Sequence, residues 1–153
     1  MATSLSLKGR ALRHLAAREH SRQELARKLA PHAQDEAEVT RVLDELEQRG
    51  LLSAERYVAS VVHRRAARFG AARIRQELTQ QGIDPLQICD TLEQLRGSEL
   101  ERASEVWRKR FGEPPADARE LARQLRFLLA RGFSADIARQ VIRHSGGLDD
   151  IGD

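Results

Sequence analysis

Residues 68–83 read RFGAARIRQELTQQGI, a helical apolar pattern with a glycine near each end. Ile74 and Leu78 stand four apart and therefore share one helix face. The spacing predicts a helix over Ala72–Gln81 that Gly82 stops. Gly70 is expected to do the same at the other end, between a Tyr57–Phe69 helix and the Ala72–Gln81 helix. The alternative is one continuous helix through Gly70, at a cost of about 1 kcal/mol relative to alanine.

The stop at Gly82 has two counterparts. Gly50, Gly82 and Gly132 are followed by Leu51, Ile83 and Phe133, and preceded four residues earlier by Leu46, Leu78 and Leu128. A Schellman ending needs this arrangement: glycine in the left-handed position just past the helix, and an apolar clasp back onto its last turn. QGID at 81–84 and RGFS at 131–134 lie 50 residues apart, each ending on a capping residue. That spacing points to an internal repeat of roughly 45–50 residues with three helices in each copy.

Working outward, every segment has the same period. The first helix carries Leu7, Ala11, Leu12 and Leu15. Ser21 with Glu24 reads as a capping box ahead of Leu25 and Leu29, and Pro31 ends that helix. Val39, Val42, Leu43 and Leu46 mark the third helix. Ser53 caps the Tyr57 helix, and Asp84 with Pro85 opens one bearing Ile88, Leu92 and Leu95. Ser98 with Glu101 reads as another capping box, before Leu100, Ala103, Val106, Trp107 and Phe111. GEPPAD breaks the chain, Leu121, Leu125, Leu128 and Leu129 follow, and Ser134 caps a last helix with Ile137, Val141 and Ile142. The expected organisation is repeat 1 over 1–52, repeat 2 over 53–97, repeat 3 over 98–145, and a flexible acidic tail over 146–153. One such repeat is too small to bury a robust core alone, so the expectation is an all-α, elongated array of three tandem three-helix repeats.

Composition agrees. Of 153 residues, 41% are hydrophobic, 4% aromatic and 32% charged, with a net charge of +3. A core is possible, but it is aliphatic, and the charge suits a large surface. Lys8, Lys28 and Lys109 are the lysines, so positive charge is mostly arginine. Arginine suits bidentate contacts to phosphate or carboxylate; Arg- and Ala-rich composition of GC-rich genomes is the plain alternative. The single Cys89, on an apolar stripe, reads as a buried inert thiol, and no disulfide framework exists. No apolar run is long enough to span a membrane, and MATSLSLKGR lacks a signal core, so the expected location is cytoplasmic.

Catalytic chemistry finds no support in this pattern. His14, His20, His32, His63 and His144 have no metal-ligand spacing and read as surface histidines. HSGGLD lacks the lysine and preceding strand of a phosphate loop. Carboxylates such as Asp35, Glu36, Glu38, Asp44, Glu45 and Glu47 lie at helix starts or beside arginines, where dipole and i,i+4 pairing account for them. The expectation is a non-enzyme with no metal and no cofactor.

Two basic clusters remain. Lys8, Arg10, Arg13 and Arg18 precede the first acid, Glu19. Arg64, Arg65, Arg68, Arg73 and Arg75 surround Gly70 with no acid among them. Arg64 and Arg68 share a helix face, and the glycine joint brings Arg73 near them. Such a patch favours phosphate or an acidic protein surface; a solvated face with an ion pair such as Arg73–Glu77 is the alternative. Aromatics are too few for a base-stacking platform.

The order of these signals resembles the RecX family, bacterial regulators of the RecA recombinase. SRQELARKL at 21–29 is similar to that family's Ser-x-x-Glu-Leu-x-x-Lys-Leu segment. GLLSAERYVASVVHRRAARFGAARIRQELTQQGI at 50–83 resembles its most distinctive stretch, and FLLARGFSADI at 127–137 its last-repeat signature. Ser53 and Ala54 stand where the family often has an Asp-Asp pair. The resemblance implies tandem three-helix repeats lying along the groove of a RecA–DNA filament. There the protein would limit ATP hydrolysis, strand exchange and coprotease action by blocking filament growth or promoting disassembly. On charge and position, Arg64, Arg65, Arg68, Arg73 and Arg75 are the expected RecA or DNA contacts, Lys8, Arg10 and Arg13 a second set, and Arg126 and Arg131 a third. Phe133 is a candidate for that third set too, with the helix-stop clasp as its preferred reading. The expected partner is the RecA nucleoprotein filament, with weak binding to single- or double-stranded DNA, by a monomer. The rival function is a sequence-independent DNA-binding helical protein acting without RecA.

Overall fold

The computed structural model describes residues 4–146. Among them the chain forms nine α-helices and no strand: α1 (Leu7–Ala17), α2 (Arg22–Leu29), α3 (Glu36–Gln48), α4 (Ala54–Arg65), α5 (Ala71–Gln80), α6 (Pro85–Leu95), α7 (Glu99–Arg110), α8 (Ala118–Ala130) and α9 (Ala135–His144). The expected tail falls almost wholly outside the described residues. The chain divides into two compact units, one running to Ser60 with Thr79–Asp84 added, the other made of Val61–Leu78 and the chain from Pro85 onward.

Local signals set the helix ends. The hydroxyls of Ser6, Ser21, Ser53 and Ser134 accept from the N–H groups of Gly9, Glu24, Arg56 and Ile137. Asp35 and Asp117 do the same for Glu38 and Glu120, both at 2.8 Å. Each such cap contributes about 1 kcal/mol. Two expected boxes do not close. The Glu24 carboxylate turns to the Arg18 guanidinium, at 2.7 and 3.2 Å, instead of returning to Ser21. Ser98 has helical backbone and caps nothing. It ends a 3-10 turn, Arg96–Ser98, and its hydroxyl donates to the Leu95 carbonyl while accepting from Arg102.

The glycine stops form as expected, with φ of 72° at Gly50, 71° at Gly82 and 94° at Gly132. At Gly50 and Gly132 both Schellman bonds are present: Gly50 N to Glu47 O and Leu51 N to Leu46 O, Gly132 N to Leu129 O and Phe133 N to Leu128 O. Ile83 and Phe133 are buried after their glycines. At Gly50 the inserted side chain is Leu52, 3% exposed, whereas Leu51 is 43% exposed. The chain there turns one residue later than the clasp pattern predicts.

In the first unit, Leu7 and Ala11 of α1, Leu25 and Leu29 of α2, and Val39, Leu43 and Leu46 of α3 pack with Leu52 into one apolar cluster. In the second unit, Ala103, Val106 and Trp107 of α7 meet Leu128 of α8, Phe133, and Ala138, Val141 and Ile142 of α9. One polar residue belongs to that core. Gln124 is buried, its Oε1 accepting from the Trp107 indole at 2.8 Å and its Nε2 donating to the Glu113 carbonyl at 3.2 Å. Gln124→Leu leaves a buried indole N–H without its acceptor. We expect a loss of about 2 kcal/mol, read by thermal melting through Trp107 fluorescence.

His20 corrects the expectation of five surface histidines: it is 1% exposed. Its Nδ1 lies 3.0 Å from the Arg18 carbonyl and its Nε2 2.8 Å from the Lys28 ammonium. A carbonyl only accepts and an ammonium only donates, so Nδ1 carries the hydrogen, Nε2 accepts, and the ring is neutral. Burial lowers its pKa first, and the Arg18 and Lys28 charges add to this against the carbonyl bond and Glu24. The stabilisation is therefore complete above the unfolded value of about 6.5 and is lost as pH falls through the lower folded value. The first unit should melt earlier as pH drops from about 7 to about 5. His20→Gln should flatten that dependence in melts across the same range. Cys89 is a second correction: it is exposed, since the buried face of α6 runs through Ile88 and Leu92.

Candidate functional site: an arginine–phenylalanine ladder

The α4–α5 joint opens the site. α4 ends at Arg65, the Phe69 N–H turns back to the Arg65 carbonyl at 2.8 Å, and α5 starts at Ala71. The break at Gly70 is as expected, but its cause is not. Gly70 has no positive φ. Its backbone lies against the α8–α9 turn, where an added Cβ would fall on the Gly132 carbonyl, 2.5 Å from its carbon and 2.6 Å from Phe133 N. Glycine is needed for close approach, not for a left-handed turn. The approach is held by Gly70 N to Arg131 O at 2.8 Å and Ala72 N to Gly132 O at 3.1 Å.

This contact brings three predicted arginines onto one ring. The guanidinium carbons of Arg73, Arg131 and Arg65 lie 4.7, 5.4 and 5.8 Å from the Phe69 centroid. Arg73 also donates to the Ala130 carbonyl at 2.9 Å. Arg65 pairs with Glu77 at 3.2 Å, so the carboxylate that the alternative reading gave to Arg73 is held by Arg65 instead.

The stack continues along α8, where Arg123, Phe127 and Arg131 are four apart and share a face. Arg131 lies 5.0 Å from the Phe127 centroid and Arg110 5.6 Å from it. Phe127 meets Phe111 edge to face at 5.3 Å, and Arg110 and Arg123 cover Phe111 at 5.3 and 5.4 Å. The rings are half-buried, and Arg73, Arg110 and Arg123 are exposed. Five guanidinium groups thus lie on three rings. Each contact stabilises by about 0.5–1 kcal/mol at exposed sites and restrains a guanidinium group that remains able to donate to an anion. Such a row can bind phosphates or carboxylates. Beside Phe111 a depression of about 270 Å³ also carries Glu113, Asp117 and Glu120, which makes that end of the row mixed in sign.

The other predicted residues are placed differently. Arg64, Arg68, Arg75 and Arg126 are exposed and form no ion pair with a described residue. Arg10 and Arg13, also without one, belong to the first unit with Lys8, which pairs with Glu45 at 2.7 Å. That bond, with the Lys8 and Arg49 charges, holds the Glu45 carboxyl below its usual range. Sequence reasoning missed Arg110 and Arg123. The Arg123-x3-Phe127-x3-Arg131 spacing was a usable signal for one of them. Among the described residues no cluster of three His, Cys, Asp or Glu could hold a metal, and no helix is long and apolar enough to cross a membrane.

Profiles of the first, second and third three-helix domains of RecX match residues 8–46, 55–92 and 98–142. The chain is 70% identical over 139 residues to the regulatory protein RecX of Leptothrix cholodnii, covering 91% of this chain and 88% of that one. It is 50% identical over 149 residues to that of Ralstonia nicotianae, covering 97% and 94%. A crystal structure of RecX from Lactobacillus salivarius superposes with a TM-score of 0.76 at 22% identity, covering 92% and 94%, which supports the fold.

Proposed function

The chain belongs to the RecX family of regulatory proteins, and from that premise we propose that it restrains the RecA recombinase by binding along the RecA–DNA filament. The observation that carries the proposal is the ladder: a row of guanidinium groups, prearranged on phenylalanine rings, suits a polymeric partner with repeated anionic groups better than a small substrate. Its domains would be 1–52, 53–97 and 98–145, and it would act in the cytoplasm as a monomer without catalysing a reaction. Arg65, Arg73 and Arg131 would be the principal contacts, with Arg64, Arg68, Arg75 and Arg126 beside them and Lys8, Arg10 and Arg13 secondary. Filament capping and disassembly would both limit ATP hydrolysis, strand exchange and coprotease action.

The test is the ATPase of RecA on single-stranded DNA, at a salt level where this protein no longer binds DNA alone. Sub-stoichiometric protein should slow the ATPase. A folded variant with Arg64, Arg65 and Arg68 changed to Glu should not. If inhibition disappears together with DNA binding as salt rises, the chain is instead a DNA-binding helical protein that acts without RecA.

A further inference from the structure

We infer that Arg102, within α7, is a positioning residue for the arginine face on Phe69. Its Nη1 donates to the Ala66 carbonyl at 2.6 Å and to the Phe69 carbonyl at 2.8 Å, and its Nε to Ser98 Oγ at 3.1 Å. Ala66 and Phe69 belong to the last turn after α4, whose carbonyls have no helical partner of their own. The one charged nitrogen Nη1 satisfies both of these, while Nη2 is buried without a hydrogen-bond partner among the described residues. One turn earlier on α7, the Glu99 carboxylate takes the Ala71 N–H at the start of α5, at 3.4 Å. Arg102 and Glu99 therefore hold the two ends of one joint with the signs that the helix ends favour. Burial lowers the Arg102 pKa, partly offset by the Glu99 charge, and the group remains ionised at neutral pH.

The Arg102 guanidinium is not one of the five that lie over the ladder rings. Its effect passes through the backbone. Phe69 closes the turn that Arg102 clamps, and Gly70 and Ala72 then reach the carbonyls of Arg131 and Gly132. Moving the joint would carry Phe69, Arg65 and Arg73 away from Arg131. α7 and α8 belong to the third family domain and the joint to the second, so the face would be assembled across a domain boundary by residues outside both basic clusters.

The functional consequence rests on the filament reading above; the positioning itself does not. Arg102→Met and Arg102→Lys are compared with the parent by amide hydrogen exchange over residues 66–73 and by the concentration that half-inhibits the RecA ATPase. Arg102→Met should keep its helix content, exchange faster over 66–73, and need about tenfold more protein. Arg102→Lys should recover most of both, because an ammonium can bridge the two carbonyls. Arg102→Met combined with Arg131→Gln should lose little beyond Arg131→Gln alone, the non-additivity expected of a residue acting through the face. If Arg102→Met does not fold, Glu99→Gln is the milder variant and should accelerate exchange at Ala71 and Ala72. Parent-like exchange in Arg102→Met, or in Glu99→Gln where that variant replaces it, overturns the assignment, as does a fully additive loss in the double variant. If the parent itself fails to inhibit RecA, the filament reading falls, and exchange over 66–73 alone decides the role of Arg102.

Discussion

Gly132→Ala should lower stability by about 3 kcal/mol, whereas Gly50→Ala at an equivalent helix stop should cost only about 1 kcal/mol. Both glycines are left-handed, at φ of 94° and 72°, so both variants carry the backbone penalty of alanine there. Their surroundings differ. Nothing lies within 4 Å of a Cβ on Gly50. A Cβ on Gly132 would meet Arg73 at 2.5 Å from Cγ, 2.7 Å from N and 2.8 Å from Cβ. Two of these atoms are on or next to the backbone, so the neighbour cannot swing clear, and the joint must separate from the turn. That separation strains the Gly70–Arg131 and Ala72–Gly132 hydrogen bonds and spreads the arginines on Phe69. Thermal melts should show a drop of about 10 °C for Gly132→Ala and about 3 °C for Gly50→Ala. Equal drops would mean that the penalty is backbone conformation alone and that the close approach contributes nothing. Gly70→Ala completes the comparison. It has no positive φ to lose, so any large effect reports the contact by itself.

These glycines also show where the sequence is legible. Features whose partners lie three to five residues away can be read directly. The serine caps, the stops at Gly50, Gly82 and Gly132, and most of the apolar stripes fall in this class, because helix geometry fixes which neighbours meet, although Leu12 and Leu129, read as inward, are 37% and 47% exposed. Leu51 fails by one residue, since a stop signal fixes the turn but not which side chain the core then accepts. Pairings across long separations have no local signature. Gly70 is readable as a break, yet its reason lies 62 residues later, at Gly132. Ser98 looks like a cap, but Arg102 uses its hydroxyl to clamp a joint more than thirty residues earlier. His20 looks polar and therefore exposed, but the Arg18 carbonyl and Lys28 give both ring nitrogens partners inside the fold. The candidate site lies between these cases: charge density marks Arg65 and Arg73, the Arg123-x3-Phe127-x3-Arg131 spacing marks a second run, and only the fold joins the two runs and adds Arg110.

Changing Arg73 and Arg131 together to Gln should weaken filament inhibition by about a hundredfold, more than the same change at Arg64 and Arg68. All four are arginines of the second unit, so net charge and long-range attraction change equally. The difference is preorganisation. Arg73 is held by Phe69 and the Ala130 carbonyl, and Arg131 lies against both Phe69 and Phe127. Arg64 and Arg68 are exposed, and ordering each on binding would cost about 0.5–1.5 kcal/mol. Removing two charged hydrogen bonds made by prearranged donors costs about 3 kcal/mol, which is the hundredfold expected. Salt then separates the two kinds of anion that the row could face. If it follows the phosphates of a single strand, each arginine removed takes about 0.7 from the log–log salt slope of DNA binding, so the double variant should lower it by about 1.4. If it faces carboxylates on RecA, inhibition falls while the slope for bare DNA stays at its parental value. A double variant that inhibits as well as the parent would show that the arginine row is a structural brace for the joint and that the filament is bound elsewhere.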